Sequence, residues 1–271
     1  MLFPQGKSQR MSQFPAVATG KLNFAADKSG GGKFSNFDPD ARDTHFVGVD
    51  VAINNVRSLS QPPSLAAEGF AIAAHAAPDP EWGDKGWLDA VYVPSCLELV
   101  KRLTGARTTL QMYDPIVRRQ DASAAPPATF IHLDQTREAY WSQAVEWAAA
   151  AGTELKRGAI FNVWKAITPP PQDMPLAVCD RRTVSLDDYA IGVTVENGTE
   201  TPYVALVHSS EAPTWYYVPD LTIDESIVFL SADFDPAQPL GCAHTAFSPP
   251  PVAGGYEPRA SVEVRVLACF D

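Results

Sequence analysis

From Arg157 onward the chain is a succession of short apolar runs rich in valine, isoleucine and aromatic residues, each stopped by proline, glycine or polar turn residues. They are Ala159–Ile167, Leu176–Cys179, Tyr189–Val195, Tyr203–His208, Trp215–Val218, Ser226–Ser231 and Val262–Cys269. Runs this short are too brief for buried helices and read as strands. Pro169-Pro170-Pro171 and Pro249-Pro250-Pro251 connect some of them, and Asn197-Gly198 between two runs is a hairpin signal. The front half adds strands at His45–Asn54 and Thr108–Tyr113, and a segment Ser64–His75 broken at Gly69-Phe70. Two helices are expected. One is Trp87–Thr104, with Leu88, Val91, Leu97, Val100 and Leu103 at helical spacing, Pro94 near its start and Gly105 past its end. The other is Thr136–Ala151, with Thr136 as N-cap, Gly152 closing it, and Trp141, Val145 and Ala148/Ala149 on one face. Helices early and many short strands late predict an α+β, mainly β chain: a jelly roll or barrel with helices packed on the outside. Residues 46–271 read as one domain, and residues 1–45, rich in Gly, Ser, Lys and Asp, as a flexible arm unless it docks on the body.

Composition narrows the partners. The formal charge of −11 disfavours non-specific binding to nucleic acid and anchoring on anionic lipid, so neither nucleic acid nor a membrane is expected as a partner. Met1–Gly20 has Lys7 and Arg10 but no apolar segment after them, and no apolar run is long enough to span a bilayer. Cys96, Cys179, Cys242 and Cys269 are scattered and form no Cys-x-x-Cys pair, which suits reduced thiols in a cytoplasmic protein. The oligomeric state is left open, a homodimer being one outcome that the arm would serve.

The chemistry lies in two short motifs, Phe130-Ile131-His132-Leu133-Asp134-Gln135-Thr136 and Cys242-Ala243-His244-Thr245-Ala246-Phe247, the second followed by Arg259-Ala260-Ser261. On a strand, positions i and i+2 share a face, so His132 and Asp134 can hold one metal together. A histidine from a distant strand, His244, would complete a set of two histidines and one carboxylate that leaves open positions and suits non-heme Fe(II). Spacing alone is equally met by a hydrogen-bonded structural histidine in a chain with five of them. Three neighbouring features favour the metal: Ala128–Ile131 reads as a strand entering a buried layer, His244 also lies beside a strand-like segment, and an Arg-x-Ser follows on the last strand.

The resemblance runs along most of the chain, from about Phe46 to Phe270. It is carried by Asn54-Asn55-Val56-Arg57, Glu68-Gly69-Phe70, Val117-Arg118-Arg119, His132-Leu133-Asp134-Gln135-Thr136, Phe161-Asn162-Val163-Trp164-Lys165, Trp215-Tyr216-Tyr217, Ala243-His244-Thr245-Ala246-Phe247 and Pro258-Arg259-Ala260-Ser261-Val262-Glu263. In these blocks the chain resembles the AsaB/CmcJ-like hydroxylase/desaturase family. The resemblance implies a double-stranded β-helix (a cupin-like jelly roll) and chemistry that uses Fe(II), 2-oxoglutarate and O2 to hydroxylate or desaturate a small specialised metabolite by hydrogen abstraction. Two positions depart from the family pattern: Ala243 stands for its usual proline and Lys165 for its usual arginine, keeping charge but losing the planar fork.

On that basis His132, Asp134 and His244 are the expected metal ligands and catalytic centre. Arg259 with the Ser261 hydroxyl is expected to take the far carboxylate of 2-oxoglutarate, with Arg265 as the alternative anchor. Asn162 and Lys165 are further cosubstrate candidates, and Trp164, Trp215 and Tyr217 candidate substrate contacts. Two other readings stand beside the oxygenase: an iron-dependent oxidase or cyclase that does not use 2-oxoglutarate, and a non-catalytic jelly-roll binding protein.

Overall fold

Alternation in the last strand, Ser261–Phe270, sets the architecture. Val262, Val264 and Val266 take one face and Ser261, Glu263 and Arg265 the other. The valine face packs with Phe161, Val163, Leu99 and Val100 in one apolar cluster, beneath the helix Val93–Thr104. The charged face is therefore turned inward rather than to solvent. Burying the valines under a helix is what places Glu263 and Arg265 between the two sheets.

The computed structural model describes residues 14–35, 43–121, 124–196, 198–209 and 213–271. Among them, one sheet has nine strands in the order Val17–Ala25, Phe46–Asn55, Trp215–Tyr217, Leu176–Cys179, His244–Ala246, His132–Leu133, Thr199–Leu206, Tyr189–Glu196 and Lys33–Phe34. The second sheet runs Phe70–Ala74, Glu225–Asp233, Arg157–Ala166, Ser261–Phe270 and Thr108–Gln111, with Ile116–Arg118 pairing the other end of Ser261–Phe270. Together they form the expected double-stranded β-helix. The expected hairpin pairs Glu196 with Thr199; Gly198 has φ 78°, and Asn197 lies outside the described residues.

Helices differ from expectation in detail. Helical backbone begins at Lys85, where Asp84 accepts from Trp87 N at 2.8 Å, and passes through a wider π turn at Leu88–Tyr92 before the regular helix Val93–Thr104. Its buried stripe is Val93, Cys96, Leu99 and Val100, while Leu103 is exposed. The helix Arg137–Ala150 is capped by Thr136 as read from the sequence. Its buried face, however, is Tyr140, Ala144 and Ala148, and Trp141 and Val145 are exposed at 37% and 39%. The two alanines let the helix approach closely, and the Tyr140 hydroxyl lies 3.4 Å from Ser231 Oγ. Close approach and a polar contact outweighed side-chain hydrophobicity in choosing the face.

The expected flexible arm is corrected over its described part. Val17–Ala25 is a nine-residue strand paired along its whole length with Phe46–Asn55. Its inward side chains Ala18, Leu22 and Phe24 are buried, Phe24 fully and edge-on to Trp215 at 6.4 Å. Lys33–Phe34 adds the outermost strand of the nine. There Tyr203 Oη donates to Gly31 O at 2.5 Å, over Gly192, where a Cβ would stand 2.3 Å from the Tyr203 ring. Phe24→Ala should therefore cost roughly 3–5 kcal/mol, the usual range for a buried Phe emptied to Ala. Urea denaturation measures this; a cost under about 0.5 kcal/mol would mean the segment contributes no more than an ordinary surface position.

Candidate metal centre

His132 and His244 are direct cross-strand partners in the larger sheet, their ring centroids 4.3 Å apart. Asp134 follows His132 by two residues and returns to the same side. Ligand atoms of the three residues all lie within 4.8 Å of one another, with His132 Nε2 3.9 Å from Asp134 Oδ1. Each histidine turns its Nδ1 to a backbone carbonyl two residues earlier: His132 to Phe130 O at 2.9 Å and His244 to Cys242 O at 3.2 Å. Donating Nδ1–H to a carbonyl leaves the Nε2 lone pair for a metal. Burial holds His132 down to about 3 and lowers His244 as well, so both imidazoles are neutral in the physiological range.

Asp134 is the opposite case. Burial alone would raise it, but the Arg265 guanidinium, helped by the Asn162 hydrogen bond, outweighs burial and holds it well below the usual carboxylate range. Oδ1 accepts from Arg265 at 2.8 Å; Oδ2 accepts from Asn162 Nδ2 at 2.8 Å and Ser231 Oγ at 2.9 Å. All three donors come from the smaller sheet. Arg265 and Asn162 are register partners. Ser231 sits where the register shifts between Leu230 and Ala232, the extra residue of a bulge that re-aims its side chain at Asp134. Two neutral imidazoles and one ionised carboxylate, converging and individually oriented, fit a divalent first-row transition metal.

Two cavities open on this centre. One is lined by Arg118, Trp164, Leu176, Arg259 and Glu263 together with the three metal-site residues. The other is lined by Phe34, Phe130, Tyr203, Thr194, Arg118 and Arg265 with His132 and Asp134. Arg259 is 2% exposed, donates NH1 to Met174 O at 2.7 Å, lies 5.2 Å over the Trp164 ring, and keeps a buried Nε without a partner. Arg265 is committed to Asp134 and, at 3.4 Å, to Glu263.

The residues expected from the sequence thus divide. His132, Asp134, His244, Trp164 and Arg259 come together. Asn162 reaches the centre through Asp134. Ser261 is buried beside Arg118 in register but does not line either cavity. Lys165 is a correction: three residues from Asn162, it must face the other side of the same strand. Its Nζ donates to the carbonyls of His75, Ile223 and Glu225, remote from the metal ligands. Trp215 and Tyr217 are also corrected. Tyr216, not its neighbours, lies in the cross-strand row of Val178 and His244. Trp215 and Tyr217 face the other way, against Phe24 and Phe247. Glu263 and Ser231 were missed. Glu263 gave no signal, because charges alternating with valines read as a solvent face until the helix that covers the valines is known.

The oxidoreductase/YMDC permease-like domain family matches residues 22–269, and among the described residues no helix is long and apolar enough to cross a membrane. The chain is 30% identical over 192 residues to the Fe(II)/2-oxoglutarate-dependent dioxygenase nvfI of Aspergillus novofumigatus, covering 68% of each chain. It is 28% identical over 254 residues to the hydroxylase/desaturase CTB9 of Cercospora beticola, covering 81% of this chain and 75% of that one. The solved structure of the iron and alpha-ketoglutarate-dependent endoperoxidase NvfI shares the fold, with a TM-score of 0.81 at 23% identity over 94% of this chain and 98% of that one. The chain is therefore a member of the oxidoreductase/YMDC permease-like domain family and of the Fe(II)/2-oxoglutarate-dependent dioxygenases.

Proposed function

We propose that this protein is an Fe(II)/2-oxoglutarate-dependent dioxygenase that hydroxylates or desaturates a small organic substrate of specialised metabolism. One observation carries the reading: two neutral histidines and an ionised aspartate face a cavity that also holds Arg259, a buried cation without a carboxylate partner among the described residues. His132, Asp134 and His244 would hold the iron. When bound, the iron would couple decarboxylation of 2-oxoglutarate to succinate and CO2 with oxidation of a substrate C–H bond by O2.

The chain's own residues prepare that chemistry. The Phe130 and Cys242 carbonyls fix both imidazole orientations, and Arg265, Asn162 and Ser231 fix the carboxylate. Arg265, engaged on Asp134, is poorly placed to anchor a second anion. Arg259 is the better anchor for the far carboxylate of 2-oxoglutarate, its guanidinium positioned over the Trp164 ring and bonded to Met174 O. Four free, buried cysteines suit a reducing compartment, and we place the enzyme in the cytoplasm.

Anaerobic titration with Fe(II) and 2-oxoglutarate should give the weak visible band of the chelate in the wild type and none in His132→Ala. Iron binding without the band would favour an oxidase that does not use 2-oxoglutarate; no iron binding would remove the oxygenase reading. Arg259→Met should weaken 2-oxoglutarate by about 30-fold or more, the loss of roughly 2 kcal/mol from a buried charge pair, with metal affinity unchanged by calorimetry.

The buried histidines also set a pH dependence. Unfolded His132 takes a proton below about 6.5, whereas the folded residue resists until about 3. Between those values the unfolded chain binds more protons, so stability is full above the unfolded value and is lost as pH falls. Urea denaturation of metal-free protein at pH 7.5, 5.5 and 4.5 should show this loss, at up to about 1.4 kcal/mol per pH unit from this residue, and a shallower slope in His132→Ala.

A further inference from the structure

The arginines around the centre are not equivalent. Arg265 is paired with Asp134, and Arg259 is seated on Trp164. Arg118 ends the strand Ile116–Arg118, where its register partner is Ser261. That pairing stands it on the inward face of the smaller sheet, between Arg259 and Glu263 in the adjoining segment. It lines both cavities that open on His132 and Asp134. Among the described residues its only side-chain hydrogen bond runs from NH1 to Pro126 O at 2.9 Å, and it joins none of their ion pairs. Burial works against its charge, and Glu263 offsets that only in part. A half-buried guanidinium left with donors free, at the junction of two cavities, is matched by an anion that the ligand brings.

The second cavity says what the rest of that ligand is. Phe34 and Phe130 meet edge-on at 5.1 Å, Phe34 and Tyr203 at 5.2 Å, and Phe46 stacks behind Phe130 at 4.9 Å. Phe130 also lies 5.0 Å from the His132 ring, so the aromatic wall runs up to the metal ligands. The Tyr203 hydroxyl is engaged by Gly31 O, and Tyr203 lines the cavity beside Phe34 and Phe130.

Resting on the oxygenase reading above, we propose that Arg118 is the substrate's anchor: it takes a carboxylate of the organic substrate, whose apolar, ring-bearing body lies against Phe34, Phe130 and Tyr203, on the side of the centre away from Arg259. The substrate class is then a small hydrophobic carboxylic acid. Its neutral amide or ester is rejected, because it would leave the guanidinium without a counter-charge. A carboxylate could also reach Arg118 from the cosubstrate, and the test separates the two sources.

The full-length protein, loaded with Mn(II) in place of Fe(II), is titrated calorimetrically with 2-oxoglutarate and then, at saturation, with trans-cinnamate and the isosteric neutral trans-cinnamamide. Wild type should bind the acid about tenfold tighter than the amide or more, as expected for a hydrogen bond to a charged group. Arg118→Met should abolish that preference while holding the 2-oxoglutarate Kd within about twofold, and Arg259→Met should do the reverse. Arg118→Lys, which keeps charge but not the fork, should retain part of the preference. Equal binding of acid and amide by the wild type, or no binding of the acid at millimolar concentration, overturns the proposal without any variant having to fold. Loss of 2-oxoglutarate affinity in Arg118→Met as large as in Arg259→Met assigns Arg118 to the cosubstrate and likewise overturns it. Failure of the wild type to bind 2-oxoglutarate would instead refute the oxygenase reading, and the acid–amide comparison can still be read on the metal-free protein.

Discussion

The carboxylate of Asp134 is the point at which the two sheets are tied together. Its backbone follows directly on His132–Leu133 in the larger sheet, and its three hydrogen-bond donors, Arg265, Asn162 and Ser231, all belong to the smaller one. An ionised, buried carboxylate is costly unless its lone pairs are matched by donors, and charge-assisted bonds of this kind are the strong ones. The same bonds that make the charge tolerable orient it toward His132 and His244. Structure and chemistry are therefore inseparable at this residue: removing a donor would loosen the sheet contact and misplace a metal ligand together.

The polarity of the strands follows from that tie. In an ordinary sandwich the charged positions of a strand face water and the valines face the partner sheet. In Ser261–Phe270 the arrangement is reversed, because the helix Val93–Thr104 covers the valine face and the charged face meets Asp134 across the interior. Arg157–Ala166 behaves the same way, with Asn162 and Trp164 inward and Val163 under the helix. This leaves a polar interior with two chemically different cavities around the metal centre, one carrying Arg259 and Glu263 and one walled by aromatic rings. The aromatic wall depends in part on Phe34, held at the edge of the larger sheet by pairing with Tyr189–Glu196.

Much of this was legible in the residue order. The strand runs after Arg157 appear within four residues of where alternation and turn residues put them, and the His-x-Asp spacing needs only the geometry of a single strand to bring two ligands to one side. Lys165 was misplaced by reading a motif position without its parity: Asn162 and Lys165 cannot share a face. Trp215 and Tyr217 were misplaced because an aromatic strand looks the same whether it lines a pocket or a core, and only its register against Val178 and His244 tells which. The segment from Val17 was underrated because its glycines, polar residues and lysines suggested a loose arm, while every position of Val17–Ala25 pairs with Phe46–Asn55 and alternate ones are buried.

The sequence by itself determined the elements and the ligand chemistry, since these rest on local periodicity, capping residues and the spacing of donors along one strand. The tertiary structure decided which face of each element is interior, which arginine is free to meet an anion, and which hydroxyl reaches Asp134. The reason is that these outcomes depend on pairing between segments up to about 130 positions apart: Arg265 meets Asp134 across 131 residues and Ser231 meets it across 97. No local pattern encodes whether a charged strand face will be given to solvent or turned onto a buried carboxylate; the covering helix and the bulge at Ser231 make that choice.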